Sequence, residues 1–270
     1  MDIKEKIRTL AVKERYSFSD LCDIMEVLRS EEGCPWDREQ SHESVRMALL
    51  EETYEAAEAI DDKNPELLCE ELGDMLFQIV FHAEIERERG VFDISDVIDG
   101  VSAKMVHRHP HVFSDVIAEN SDKVLSNWEK IKNDEKSRDS AASRLKSVPK
   151  TLPALMKAEK VGSRAAKVGF DFPDADSARE KIYEELLELE GAENDADRLE
   201  EAGDLLFAVV NYLRKLGINS EQALGYATDK FVSRFEKTET ELTKNGGKMQ
   251  DFSLSEMDNA WKRVKMNKNN

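Results

Sequence analysis

At 270 residues the chain has room for one or two domains. A formal net charge of −18 argues against non-specific nucleic-acid binding and makes any anionic substrate depend on cations or a local basic cluster. Cys22, Cys34 and Cys69 are odd in number and lack C-x-x-C spacing, the start Met1-Asp2-Ile3-Lys4-Glu5 is not a signal peptide, and no apolar run reaches membrane-spanning length, so the chain reads as a cytoplasmic protein with reduced thiols and no membrane partner.

Gly (12) and Pro (6) are scarce, which favours long helices. The first predicted helix runs from Ser17 to Glu31, with Phe18, Leu21, Ile24, Met25 and Leu28 on one stripe, and the Gly33-to-Asp37 corner breaks it. Helices follow over roughly 43–60 and 65–89, Pro65 suiting a first turn and Gly90 a stop. Asp93 or Ser95 caps the next, which Pro110 ends, and a further helix over about 121–134 carries Trp128. Residues 133–150 are rich in Ser, Lys and Asp with few apolar side chains and read as a mobile linker. Helical pattern resumes near Leu152, breaks at Gly169 to Pro173, and continues as helices over roughly 176–192, 195–216 and 219–244, with a short last helix carrying Met257, Trp261 and Val264. No strand pattern is evident, so an all-α fold is expected.

The two halves repeat. Glu51-Glu52-Thr53-Tyr54-Glu55 and Glu70-Glu71-Leu72-Gly73-Asp74 match Glu184-Glu185-Leu186-Leu187-Glu188 and Glu200-Glu201-Ala202-Gly203-Asp204, at offsets of 133 and 130. Lys104 and Arg108 match Lys230 and Arg234 at 126, and the block Asn127 to Lys132 matches Ala260 to Lys265 at 133. Four blocks in one order indicate duplicated helical domains, 1–132 and 151–270, joined by the linker.

Each acidic block places carboxylates at i and i+3, neighbours on one helical face: Glu185 with Glu188, Glu201 with Asp204, and in the first half Glu52 with Glu55, Glu71 with Asp74. An isolated E-x-x-E is by default a solvated face. Here the residues after Asp204 (Leu205, Leu206, Phe207, Ala208, Val209, Val210) are apolar almost all round, which predicts a buried helix. Two such helices packed antiparallel bring four like charges together, a repulsion that demands partial protonation or a cation. All-oxygen ligation selects a hard cation, Mg2+ first and Mn2+ second. A di-iron bundle uses Glu-x-x-His, and all five histidines lie in the first half.

Lys230 and Arg234 share a helical face and suit phosphate oxygens, or form an ordinary basic surface; Trp261 suits a nucleobase or core packing; Lys265, one turn on, suits a phosphate or solvent. Asn211, the polar residue on an apolar stretch, needs a partner, either a ribose or base or a backbone group. At the corresponding place in the first half stands Phe81. These parts together suit a Mg2+-dependent site for a nucleoside triphosphate. The rival reading is a non-catalytic helical adaptor with acidic partner-binding faces.

E-E-x-x-E followed by E-x-x-D, twice, with the Gly33-Cys34-Pro35-Trp36-Asp37 corner, the stretch Lys104 to Phe113 and Val168-Gly169-Phe170-Asp171, resembles the MazG family of nucleoside triphosphate pyrophosphohydrolases. The resemblance implies an all-α fold whose four-helix sites are completed by a second subunit. It implies Mg2+-dependent hydrolysis of NTPs and dNTPs to monophosphate and pyrophosphate. Metal falls to Glu185, Glu188, Glu201 and Asp204, with phosphate contacts from Lys181, Lys230 and Arg234, and with Trp261 and Lys265 closing the nucleotide site. Glu200 and Arg198 join the substrate set; Arg198 stands beside Asp197, where the family often has lysine. The repeat adds Lys104, Arg108, Trp128 and Lys132 in the first half. Glu184 and Glu188 are the candidate general bases. In some members only the second half is catalytic, so the quartet Glu52, Glu55, Glu71 and Asp74 is expected to be weaker or structural.

Overall fold

The computed structural model describes residues 2–114, 120, 123–124, 127–128, 131 and 140–266. Among these every regular element is helical, and the chain divides into two compact units, Met1–Asp134 and Glu135–Asn270. The all-α expectation holds.

In the first unit, α1 (Ile3–Ala11) starts on Asp2, whose side chain accepts from the Glu5 amide at 2.8 Å. This helix carries no sequence signal taken up above. α2 (Phe18–Arg29) begins at Ser17, where Ser17 and Asp20 form a capping box. The chain then folds back so tightly that a Cβ on Gly33 would lie 1.9 Å from the Val27 carbonyl oxygen, so only glycine fits. The expected break at this corner contains one short helix, α3 (Pro35–Glu39), with Pro35 in its first turn.

α4 (His42–Asp61) and α5 (Pro65–Glu88) form a helical hairpin. Met25, Val45, Val80, Phe81 and Ile85 make the core against α2. Over this core lies Arg29. Its Nε and Nη2 bond Glu88 at 2.7 and 2.9 Å, its Nη1 donates to the Asp37 and Gln40 carbonyls at 2.6 and 3.2 Å, and the guanidinium sits 5.3 Å from the Phe81 ring centroid. One buried cation thus ties α2, α3 and α5. α6 (Ile94–Arg108) is capped by Asp93 and buries none of its residues, and α7 (Pro110–Phe113) turns the following corner.

In the second unit, part of the stretch expected to be a linker is helical. Residues 141–146 form α8 (Ala141–Lys146), Val148 is buried, and Arg164 donates to the Arg144 carbonyl and, at 2.8 Å, to the Ser147 hydroxyl. A six-residue helix has little periodicity to read; contacts from another helix hold it. α9 (Ala154–Ala166) leads through a turn to the hairpin of α10 (Ala175–Gly191) and α11 (Asp195–Lys215), followed by α12 (Ser220–Thr243) and α13 (Leu254–Met266). α11 is also less buried than its composition suggests: Ala208, Val210 and Asn211 are covered, but Leu206 is 59 % exposed and Phe207 39 %. The chain itself covers one face of this apolar helix and leaves another open.

Removing the Arg29 fork leaves two carbonyls and a carboxylate without their cation. Arg29→Met is expected to lower stability by about 2–3 kcal/mol, read from the urea midpoint of the transition it shifts.

Candidate active site

The α10–α11 hairpin brings the acidic pairs face to face. Glu185, Glu201 and Asp204 each present a carboxylate oxygen, all within 4.8 Å of one another; Glu185 is buried, Glu201 half-buried and Asp204 exposed. Glu188, one turn beyond Glu185, shares a hydrogen bond with it. Desolvation, that shared hydrogen bond and the charges of Glu185 and Glu201 push Glu188 above the usual carboxylate value. Glu201 is also pushed up, by desolvation first and then by Glu185 and Asp204. The α4–α5 hairpin does the same with Glu52, Glu55 and Glu71, whose oxygens also lie within 4.8 Å of one another. There Asp74 adds its charge, and Glu52 and Glu71 are both raised, desolvation being the first cause.

Lys181 offsets part of the charge in the second unit. Its ammonium lies 2.6 Å from both Glu184 and Glu185, which raises its own pKa. Glu184 itself is exposed, as is Glu200. Arg198 pairs with Asp195 at 3.1 Å out in solvent rather than with the acidic group.

Beside the carboxylates opens a cavity of about 550 Å³. Lys181, Glu185 and Asp204 line one part of it, and Val161, Phe207 and Ala208 supply apolar wall. Asn211 faces this space, but its amide is engaged at both ends: Nδ2 donates to the Phe207 carbonyl at 3.1 Å, and Oδ1 accepts from Arg214 Nε and Nη2 at 3.3 and 3.2 Å. Of its two expected partners, the structure supplies the backbone one. Arg214 in turn pairs with Asp171, and Lys215 Nζ lies 3.1 Å from the same carboxylate, holding Asp171 down to about 2.

Lys230, Arg234, Trp261 and Lys265 do not line this cavity. Trp261 packs on Phe231 with ring centroids 5.0 Å apart, and the Arg234 guanidinium lies 5.0 Å over its ring; Lys230 and Lys265 are exposed. In the first unit Arg108 lies 5.4 Å over the Trp128 ring, the same pairing at the matching blocks, and Lys104 is exposed. Lys132 lies outside the described residues.

Asp171 stands in the Val168-to-Asp171 motif, while Gly162, Arg214 and Lys215 carry no expectation from the sequence. A glycine inside an amphipathic helix was the available signal for Gly162. Its added Cβ would come 2.6 Å from Asn211 Oδ1, so the small residue lets α9 approach α11.

The site therefore defines an all-α protein with two acid-lined helical hairpins, one of them backed by a cavity. A family model described as "MazG nucleotide pyrophosphohydrolase domain" matches residues 40–113, which include Glu52, Glu55, Glu71 and Asp74. A Thermotoga maritima protein named nucleoside triphosphate pyrophosphohydrolase/pyrophosphatase MazG is 46 % identical over 92 % of this chain and 95 % of its own length. An Escherichia coli K12 protein named nucleoside triphosphate pyrophosphohydrolase is 43 % identical over 91 % of this chain and 95 % of its own. Bacillus subtilis YabN, called uncharacterized, is 45 % identical over 93 % of this chain but 52 % of its own length. The chain belongs to the MazG family.

Gly162→Ala is expected to cost about 1–3 kcal/mol by overpacking. Gly225→Ala, inside α12 with nothing within 4 Å of an added Cβ, is expected to stabilise by roughly 0.5–1 kcal/mol. Opposite shifts of the urea midpoint check both.

Proposed function

We propose that the protein hydrolyses nucleoside triphosphates, ribo- and deoxyribo-, to the monophosphate and pyrophosphate, clearing unwanted nucleotides from the pool. The observation that carries this is the presence of Glu185, Asp204 and Lys181 in the lining of one cavity whose remaining wall is largely apolar. Hard anionic donors and a cation stand where a metal-bound polyphosphate needs them, and apolar walls stand beside them where the rest of a nucleotide fits.

Glu185, Glu188, Glu201 and Asp204 fit a divalent cation, Mg2+ or in its stead Mn2+. Their donors are all oxygen, and the raised values of Glu188 and Glu201 mark a group of carboxylates short of positive charge. The bound ion supplies charge neutralisation for the triphosphate. Lys181, already between Glu184 and Glu185, turns to a phosphate oxygen. Water attacks the α-phosphorus, and Glu184 or Glu188 takes its proton; a raised carboxylate value brings Glu188 closer to a general base's working range. Pyrophosphate leaves.

We assign turnover to the second domain of the tandem pair, 151–270, and a weaker or structural role to the Glu52–Asp74 quartet of the first. The active species is read as a homodimer. Leu186, Leu187, Leu206 and Phe207 on the active hairpin are exposed in one chain, and a second subunit is what would cover them. The same packing would carry Lys230, Arg234, Trp261 and Lys265 of a partner chain to the phosphates and base.

A panel of NTPs with Mg2+ tests the reaction: pyrophosphate is the expected direct product, and orthophosphate in its place rules out α–β cleavage. Glu185→Ala is expected to lower kcat at least about 10²-fold, with Glu52→Ala within roughly threefold of the parent. The reverse pattern assigns the wrong half.

Metal binding has its own readout. Carboxylates raised in the native state cost nothing below the ordinary value of 4.5, where both folded and unfolded forms are protonated. As pH rises through their raised values the metal-free native state loses stability. Mg2+ is therefore expected to raise Tm, and by more at pH 8 than at pH 5. An unchanged Tm at pH 8 removes the metal from this site.

A further inference from the structure

The cavity beside the carboxylates has one wall that is not helix. Between α9 and α10 the chain runs as a strap, Val168 to Pro173, and Gly169, Phe170, Asp171, Phe172 and Pro173 all border the cavity. Helix caps fasten both ends of the strap. The Gly169 amide donates to the Ala166 carbonyl at 3.0 Å and the Phe170 amide to that of Ala165 at 3.1 Å, with Gly169 at φ +87 to make the reversal; Asp174 caps α10 through the Ser177 amide at 2.8 Å. The middle is tied sideways to α11. Asp171 faces Arg214 and Lys215 together, and Lys215 Nζ also donates to the Phe172 carbonyl at 2.7 Å.

The tie is itself positioned. Arg214 is held by Asn211 Oδ1, and Asn211 stands where it does because Gly162 leaves it room. These groups form a chain from α9 through α11 to the strap. Asp171 is engaged by both cations and accepts from the Phe172 amide at 2.9 Å. In the first unit, the Gly33–Asp37 corner is held by Arg29, which reaches the Asp37 and Gln40 carbonyls with its guanidinium over Phe81.

We propose that Asp171 is a positioning residue for the substrate: through Arg214 and Lys215 it holds the Val168–Pro173 strap as the wall against which the nucleoside half of the triphosphate packs. The proposal rests on the nucleotide reading of the Glu185–Asp204 cluster and deepens it. The volume of about 550 Å³ suits a base and sugar. On that reading the phosphates go to Lys181, Glu185 and Asp204, which border the same cavity, and the nucleoside has the strap, Phe207 and Ala208 for walls. A wall that is loosened weakens contact with the nucleoside and leaves the phosphate site alone.

The test compares a ligand with a nucleoside and one without. For Asp171→Asn, KM for ATP and for a pyrimidine NTP is expected to rise about tenfold, with kcat within roughly threefold, while the Ki of inorganic tripolyphosphate as a competitive inhibitor stays within about twofold of the parent value. An equal rise in KM and Ki overturns the proposal, because the residue then acts on the phosphate site or on the fold at large. An unchanged KM overturns it as well. Lys215→Gln removes one of the two cations and keeps the Arg214 fork; it is expected to shift KM in the same direction by less, and it decides the question if Asp171→Asn does not fold. A parent protein that releases no pyrophosphate from any NTP defeats the proposed reaction itself, an outcome distinct from a normal KM in the Asp171 variant of an active enzyme.

Discussion

Like charges held together against their repulsion organise both halves of this molecule. Each helical hairpin gathers carboxylates that would separate in a flexible chain, one of them buried and one half-buried: Glu185 with Glu201 and the exposed Asp204, and Glu71 with Glu52 and the exposed Glu55. The hairpin can hold them because it is anchored elsewhere. Ala178, Ala208 and Val210 supply buried contacts in one unit, and the Met25–Val45–Val80–Phe81–Ile85 core does so in the other. Apolar burial on one face of each helix sustains electrostatic strain near the other. Glu52, Glu71, Glu188 and Glu201 are all raised, by desolvation first and by the neighbouring carboxylates after it, as groups in a candidate cation site would be.

Legibility in the sequence followed the range of the interaction. Ser17, Asp93 and Pro65 act within one turn of their own helix, and their helices begin where those residues predict. The pairs at i and i+3 are also local, so the meeting of two pairs needed only the further premise that the helices form a hairpin. Features that need a partner from another helix were not legible. α8 is six residues, too short to show a period, and Arg164 holds its end from α9. The fate of Asn211 was undecidable from its own helix, because Gly162 and Arg214 settle it. Trp261 was open between base stacking and core; within the chain its ring lies against Phe231 and under Arg234. The apolar run after Asp204 misled for a related reason. Composition says how much surface wants cover, and it does not say whether the same chain provides it.

The two units carry the same acidic hairpin on different backing. In the α4–α5 unit, Phe81 is 1 % exposed, packed in the core with Arg29 over its ring. In the α10–α11 unit, the residue at Phe81's offset is Asn211, a smaller side chain that borders the cavity with its amide bonded to the Phe207 carbonyl and to Arg214, which in turn pairs with Asp171. A ring was exchanged for an amide, and the cation that serves the corner moved from the second helix to the hairpin itself. Metal affinity depends on the acids, which both halves keep; accommodation of anything attached to the metal depends on what borders them. In the second unit Lys181, Glu185 and Asp204 share a single cavity with the apolar wall of Val161, Phe207 and Ala208, and it is there that the proposed nucleotide site lies.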